Sequence, residues 1–269
     1  MRIFRNISSE LYYKALDIMI PTLDIKLLDS YKNKRTLFIY FDYEREYRGH
    51  EINITDKNIK HILLLLDKYD FKSTWFTVGK VISKYPQSIS EILDKEHEIG
   101  SHTYSHVSPF ATSSRELSND FKMLEQAAVK IDTISGFHSP KGQWAFKTYK
   151  FLRQYGFTYE IVGSREDRHL NPVSFKYGYK KQIFRFKTIG DDWSLYKSSY
   201  TKMEVLDYFI QLTKRTQRGQ IAGIGFHPWL LFSNENFILG FELFLEFLHD
   251  NKDLHIESLK FIRDKNQLS

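Results

Sequence analysis

Short apolar runs rich in β-branched and aromatic residues alternate along the chain with longer amphipathic stretches. The first run, residues 36–41, stops where charged residues begin. An amphipathic stretch of helical length follows at residues 58–69, and the next strand-like run is residues 73–78. This order of strand, helix and strand predicts parallel strands that are joined by helices.

The same alternation continues to the end of the chain. Further strands are predicted at residues 98–100, 133–137, 157–161, 182–187, 220–226 and 254–256. Helices are predicted at residues 88–95, 113–131, 145–155, 203–216 and 237–249, and from residue 258 onwards. Residues 163–190 are the least regular segment, and we expect long loops there around the strand at 182–187. The predicted architecture is a parallel sheet, either open or closed into a barrel.

The first 35 residues differ from this pattern. They contain a mixed helical stretch at residues 11–20, a break at Pro21 and a polar run at residues 30–34. We expect residues 1–35 to form an N-terminal extension that packs on a single catalytic domain of residues 36–269. The 269 residues, 42% of them apolar, are enough for one large core, since α/β barrels of about 200–250 residues form undivided domains.

Charge and hydropathy restrict the location and the partners. No apolar run approaches the roughly 18 residues of a membrane span, and the first residues lack the pattern of a signal peptide. We therefore expect a cytoplasmic protein or one that is peripheral to the inner face of the membrane. The formal net charge of +6 is spread along the chain, which leaves peripheral contact with an anionic surface open but predicts no nucleic-acid binding. Nothing in the sequence indicates an oligomeric state.

Two histidines four residues apart are the first candidates for chemistry. His102 and His106 can approach one ion from a single turn or a tight loop. The chain has no cysteine, so a metal would be held by imidazole and carboxylate groups. The spacing alone is not specific among ten histidines, and His97-Glu98 lacks the second histidine of the zincin motif.

The residues before His102 make this pair specific. Residues 95–101 read KEHEIGS, and together with the segment from His102 to His106 they resemble the polysaccharide deacetylases, carbohydrate esterase family 4. That family has the motif H-[S/T]-x-x-H, commonly after G-H-E-I-G-S, and only the first glycine is replaced here, by Glu96. Further similar segments occur in the family's order at residues 41–42, 73–79, 137–142, 192–193 and 226–229. The resemblance covers residues 36–262.

This resemblance implies a metal-dependent hydrolase in a distorted (β/α) barrel with fewer strands than the eightfold form. The reaction would remove the N-acetyl group from an amino sugar and release acetate. Its substrate would be a polysaccharide or the lipid-linked or nucleotide-linked precursor of one. The active site is expected at the carboxyl ends of the strands, where the predicted strands place Asp42, His102 and His227.

The resemblance also implies a role for each acid of the first motif. Asp42, Tyr43 and Glu44 resemble the variant in which one residue separates the two acids, with Asp42 as the general base. Glu44 would then bind the metal together with His102 and His106. Zn²⁺ is expected, with Co²⁺, Mn²⁺ or Ni²⁺ open. Residues two apart in a strand point to the same face, so both carboxylates can face one site.

The segment at residues 137–142 carries two more expected roles. In the family's third motif a main-chain N–H after proline stabilises the oxyanion, which here implies the N–H of Lys141. His138 stands where the family has an arginine that pairs with the base. A guanidinium is always charged and an imidazole is not, so we expect a weaker influence of His138 on Asp42.

The last motifs imply a general acid and a pocket wall. His227 matches the family's general acid, held by the aspartate that matches Asp192. Trp193 would line the sugar or acetyl pocket. Gly225 stands where the family often has leucine, so we expect an acetyl pocket that is larger or differently built.

Three other functions remain open at this point. The chain could be a deformylase or another amidase on a sugar, an amidase on a non-polymeric, non-sugar substrate, or a metal-free glycan-binding member of the family without turnover. The last belongs to a different functional class, because a fold can persist after its catalytic function is lost.

Overall fold

The computed structural model of the protein describes residues 22–25, 28–48, 54–131, 133–163, 170–175 and 183–267. The helix predicted at residues 11–20 lies outside these ranges. The strands are β1 (Thr22–Asp24), β2 (Arg35–Tyr43), β3 (Ser73–Thr77), β4 (Glu98–Ser101), β5 (Gly136–His138), β6 (Tyr159–Gly163), β7 (Val173–Phe175), β8 (Ile183–Asp191), β9 (Gln220–Phe226) and β10 (Leu254–Ile256). The helices are α1 (Asp29–Lys32), α2 (Asp56–Lys68), α3 (Gly79–Lys84), α4 (Pro86–Asp94), α5 (Ser114–Ala127), α6 (Phe146–Gln154), α7 (Lys202–Lys214), α8 (Pro228–Leu231), α9 (Glu235–Asp250) and α10 (Leu259–Gln267). Among the described residues, no helix is both long and apolar enough to cross a membrane.

Seven parallel strands form a closed barrel. Their order is β2, β3, β4, β5, β6, β8 and β9, and β9 pairs with β2 to close the ring. Outside the ring, β7 and β1 extend β8 in antiparallel order, and β10 runs parallel to the start of β2. The predicted distorted (β/α) barrel is confirmed, and it forms one domain. The division at residue 35 stays a prediction, although β1 lies within the proposed extension and pairs with β7.

Most predicted elements are present with shifted ends. The strand predicted at residues 36–41 extends over Arg35–Tyr43, and those predicted at 220–226 and 254–256 match β9 and β10. The helix predicted at 113–131 is present, but its α-helical part, α5, ends at Ala127 and the chain continues as a 3-10 turn, Ala128–Lys130. The prediction missed β7, α3 and α8, since elements of three to six residues carry too little periodicity to be recognised.

Aromatic side chains fill the interior of the barrel. They come from several neighbouring strands and include Phe38, Tyr40, Phe76, Tyr159, Phe184 and Phe186. Gly225 on β9 leaves room for the ring of Tyr40, since a Cβ at Gly225 would lie 2.3 Å from Cζ of Tyr40. Tyr40 therefore occupies the space beside Gly225 inside the barrel. A larger or differently built acetyl pocket stays a prediction.

The carboxyl ends of β2, β4 and β9 lie at one rim of the barrel because the strands are parallel. This rim carries Asp42 near the end of β2, His102 directly after β4 and His227 directly after β9. Functional side chains of (β/α) barrels lie at this end. The fold thus collects three predicted site residues that are far apart in the sequence.

Candidate active site and metal centre

Asp42 and Glu44 are two buried acids at the end of β2, with 5% and 2% of their surface exposed. Strand alternation places both on the side that Phe38 and Tyr40 line further down the strand, as their spacing predicted. Tyr43 between them points outwards into the core that packs around the barrel. Burial of two carboxylates so close together is costly unless positive charge or hydrogen-bond donors surround them.

His102 and His106 come from the loop that follows β4. The backbone N–H of His102 donates to the carbonyl oxygen of Thr77 at 3.0 Å. Thr103 and His106 adopt left-handed backbone conformations, with φ of 62° and 60°, and this tight loop brings the two imidazole centroids within 5.1 Å. Glu44 Oε1 lies 3.4 Å from His102 Nε2 and 2.9 Å from His106 Nε2. The three predicted metal ligands therefore meet in one place.

The hydrogen bond of His102 to the backbone selects the ring nitrogen that faces Glu44. Nδ1 of His102 lies 2.8 Å from the carbonyl oxygen of His138. A carbonyl oxygen only accepts, so Nδ1 carries the proton and donates it. Nε2 is then the nitrogen left to donate to Glu44 or, once it has lost its proton, to bind a metal ion, as in other metal-binding histidines.

The donor set of Glu44, His102 and His106 fits a divalent metal ion. One ligand atom from each residue lies within 4.8 Å of the other two. Burial raises the pKa of Glu44, but the two histidines outweigh it and lower that pKa well below its usual value, so the carboxylate is ionised. One oxygen and two nitrogen ligands suit Zn²⁺ and related ions, and three protein ligands leave a position open for a reacting group.

A second group, Asp42, His102 and His138, also clusters within 4.8 Å but forms a hydrogen-bonded network instead. Nδ1 of His138 donates to Asp42 Oδ1 at 2.8 Å. The nearest nitrogen of His102 to Asp42 is Nδ1, at 3.8 Å, and that atom already donates to the backbone. Asp42 therefore lies beside the three predicted metal ligands without being one of them, which is the position that the predicted general base requires.

His138 contacts the predicted base directly, although it replaces an arginine of the family. Burial raises the pKa of Asp42, but His138, together with His102 and His227, reverses this effect and lowers that pKa to about 2. The expectation that His138 influences Asp42 less than an arginine would stays a prediction. The imidazole is held in place by edge contacts with Tyr40.

Asp192 binds His227 through both of its carboxylate oxygens. Oδ1 accepts from Nδ1 of His227 at 2.6 Å, and Oδ2 accepts from its backbone N–H at 2.8 Å. Burial would lower the pKa of His227, but the Asp192 carboxylate overcomes it and raises that pKa to about 10. Burial raises the pKa of Asp192 to about 6 against the effect of His227. Between these values the pair is an imidazolium and a carboxylate, and Nε2 of His227 lies 3.6 Å from Asp42 Oδ2.

Trp193 and Lys141 occupy more exposed positions. Trp193 is 40% exposed, and its ring centroid lies 6.3 Å from that of His227, so it is in place to line the site. Lys141 is exposed and has a left-handed φ of 62° in the turn Pro140–Gly142, which begins two residues after the end of β5. Within the described residues, the contacts do not link Lys141 to the two carboxylates, and its role as oxyanion donor stays a prediction.

Asp120 is a positioning residue that the sequence reasoning missed. From α5 it accepts hydrogen bonds from the backbone N–H groups of Tyr104 and Ser105, at 2.7 and 3.0 Å, and from the Ser105 hydroxyl. It thereby fixes the loop between His102 and His106. A signal was present, because Asp120 is three residues after Leu117 and lies on the buried stripe of an amphipathic helix.

Trp229 is a second missed residue. It lies two residues after His227, within the motif at 226–229, and is 0% exposed. Its indole Nε1–H donates to Glu44 Oε2 at 3.2 Å. No sequence pattern predicts this contact, since the two residues are far apart in the chain.

Comparison with known proteins identifies the family to which the chain is similar. Residues 29–160 match the family model of polysaccharide deacetylases. The peptidoglycan deacetylase of Helicobacter pylori is 29% identical over 140 residues, which are 51% of this chain and 42% of that protein. With the barrel and the ordered motifs, these matches place the chain in the polysaccharide deacetylase family.

Solved structures share the fold. A Mycobacterium smegmatis protein assigned to the polysaccharide deacetylases aligns with a TM-score of 0.76 and 15% identity, over 93% of this chain and 95% of that one. An allantoinase aligns with a TM-score of 0.69 and 14% identity, over 88% and 92% of the two chains. These likenesses support the barrel alone. The chain spans less than half the length of the curated relatives it matches, 42% and 46%.

We expect Asp120→Ala to destabilise the loop that carries the two histidines. The substitution leaves the N–H groups of Tyr104 and Ser105 without their carboxylate acceptor, which should lower the free energy of unfolding by about 2 kcal/mol. Denaturant unfolding measures this change. Glu125→Ala removes an exposed acid of the same helix and should change the free energy by less than about 0.5 kcal/mol. Equal effects of the two substitutions would show that Asp120 does not hold the loop.

Proposed function

We propose that the protein is a metal-dependent carbohydrate N-deacetylase. The observation that carries this proposal is the close arrangement of three groups: the ligand set Glu44, His102 and His106, the carboxylate of Asp42, and the His227–Asp192 pair. A Lewis-acid site, a base and an acid are what amide hydrolysis requires. Family membership and the peptidoglycan deacetylase activity named for the H. pylori relative support the same reaction.

Glu44, His102 and His106 would hold one divalent ion, for which Zn²⁺ is the first candidate and Co²⁺, Mn²⁺ or Ni²⁺ are alternatives. When bound, the ion would supply Lewis acidity at the acetyl carbonyl and would lower the pKa of the attacking water. The remaining work falls to side chains and backbone groups of the chain itself.

In this scheme Asp42 accepts a proton from water as the water oxygen attacks the acetyl carbonyl carbon. The N–H of Lys141 donates to the oxyanion that forms. His227 then transfers the proton on Nε2 to the amide nitrogen, the C–N bond breaks, and an amino sugar and acetate are released. Asp192 keeps His227 oriented and charged through its two hydrogen bonds.

The proposed substrate is an N-acetylated amino sugar in a polysaccharide or in its lipid-linked or nucleotide-linked precursor. The half-exposed indole of Trp193 supports a sugar ligand, since aromatic faces pack against the apolar side of sugar rings. The formal net charge of +6 favours carriers that contain phosphate.

A substrate panel with metal analysis tests the proposal. The purified protein should contain or rebind one divalent ion and release acetate from N-acetylglucosamine oligomers or from carrier-linked N-acetyl sugars. His102→Ala should lose the ion, and kcat/KM should fall by more than the roughly 10- to 100-fold that is typical when only a supporting residue of a metal site is changed. His61→Ala, an exposed histidine on α2, is the matched control and should behave like the parent.

Other outcomes distinguish the alternatives. Release of formate, or turnover of non-sugar amides alone, would replace the deacetylase assignment by a deformylase or another amidase. Glycan binding without turnover, with no ion bound and His102→Ala equal to the parent, would show an inactive binding protein.

The rate of deacetylation should depend on pH through the His227–Asp192 pair. The acid must be protonated, so kcat/KM should fall as pH rises through the pKa of His227, about 10. On the acid side Asp192 becomes protonated as pH falls through its pKa, about 6. His227 then loses its charged partner, so kcat/KM should fall there as well. A pH profile of kcat/KM measures both limbs.

Asp192→Asn provides the control for this profile. It removes the largest of the charges that raise the pKa of His227, so the alkaline limb should move to lower pH while Trp193 and the metal ligands stay in place. An alkaline limb that remains near the parent position would exclude His227 as the proton donor.

A further inference from the structure

Trp229 lies between the exposed wall of the site and the buried carboxylate of Glu44. Its ring centroid is 6.1 Å from that of Trp193, at an interplanar angle of 70°. Its Nε1–H donates to Glu44 Oε2 at 3.2 Å. The other oxygen of the same carboxylate, Oε1, faces the Nε2 atoms of His102 and His106. Trp229 therefore donates to Oε2 of Glu44, whereas the two imidazoles face Oε1.

The indole is itself held in one position. Trp229 belongs to the short helix α8, in which the N–H groups of Leu230 and Leu231 donate to the carbonyl oxygen of His227 at 2.8 and 3.1 Å. Its ring also packs edge-on against Tyr196, with centroids 5.6 Å apart and an angle of 80°. Because the donor is held in one position, it can hold the accepting carboxylate of Glu44 in one position too.

We infer that the indole N–H of Trp229 positions Glu44 as a one-oxygen ligand and thereby raises the affinity of the site for its divalent ion. The inference rests on the proposed function, because it presupposes that Glu44, His102 and His106 bind a metal. Trp229 acts through Glu44 and is a positioning residue.

The physical reason lies in the length and burial of the glutamate. Glu44 has one more rotatable bond than an aspartate, and holding that bond before the ion arrives reduces the entropy lost on binding. Supporting groups of this kind typically change metal affinity by roughly 10- to 100-fold.

Trp229→Phe removes the donor and keeps an aromatic ring. We expect the dissociation constant of Zn²⁺, measured by competition with a chromophoric chelator, to rise roughly 10- to 100-fold relative to the parent. Trp75→Phe is the matched control, because Trp75 is also 0% exposed and its Nε1–H donates to the hydroxyl of Ser73 at 3.0 Å. It should bind Zn²⁺ as the parent does.

A double-variant cycle with Glu44→Ala separates positioning from general loss of packing. Without the carboxylate, Trp229→Phe should weaken Zn²⁺ binding no further. A parent that binds no ion would contradict the proposed function itself. If the parent binds Zn²⁺ and Trp229→Phe binds it equally well, only the role of Trp229 is overturned. The same holds if Trp229→Phe lowers the affinity for Zn²⁺ as much in the Glu44→Ala background as in the parent.

Indole NMR of the parent protein provides the test if Trp229→Phe does not fold. The chain has four tryptophans, so the ¹⁵N-indole resonance of Trp229 can be assigned by elimination from phenylalanine variants of Trp75, Trp144 and Trp193. Addition of Zn²⁺ should shift the Trp229 resonance and leave that of Trp75 unchanged. A Trp229 resonance that does not move as the site fills would overturn the inference.

Discussion

Two carboxylates buried two residues apart at the end of one strand are the constraint on which the site depends. Asp42 and Glu44 are at most 5% exposed, and burial disfavours the charged form of each. His138 donates to Asp42, and the two histidines of the β4 loop face Glu44. His102 and His227 act on both carboxylates. The pKa values of both carboxyls fall as a result. The different partners support different roles, base for one acid and metal ligand for the other.

The closed barrel meets this constraint by bringing strand ends together. The partners of the two acids lie at the end of β5 or directly after β4 and β9, and parallel pairing directs all of these ends to the same rim as β2. Residues outside the predicted set complete the arrangement. Asp120 holds the histidine loop from α5, and Trp229 reaches Glu44 from α8. Side chains from two helices therefore hold site residues that lie in loops at the strand ends.

Periodicity predicted the βαβ order, because it is a local feature of the sequence. The barrel class and the meeting of Asp42, Glu44, His102 and His106 were implied by the resemblance to the polysaccharide deacetylases. The sequence did not predict the number of strands in the ring or the direct contact of His138 with Asp42. The partnership of Trp229 and Glu44 also escaped it, since this contact joins distant parts of the chain and depends on side-chain packing. Asp120 is intermediate, because an acid on the apolar stripe of a helix is a local signal whose partner only the folded structure identifies.

Anomalous diffraction from crystals grown with Zn²⁺ tests the central claim most directly. The account predicts one strong peak bonded to Nε2 of His102, Nε2 of His106 and one oxygen of Glu44, with Asp42 still hydrogen-bonded to His138. A peak within bonding distance of Asp42 and His138 instead would contradict this account. So would the absence of a peak at this rim under conditions in which the protein is active.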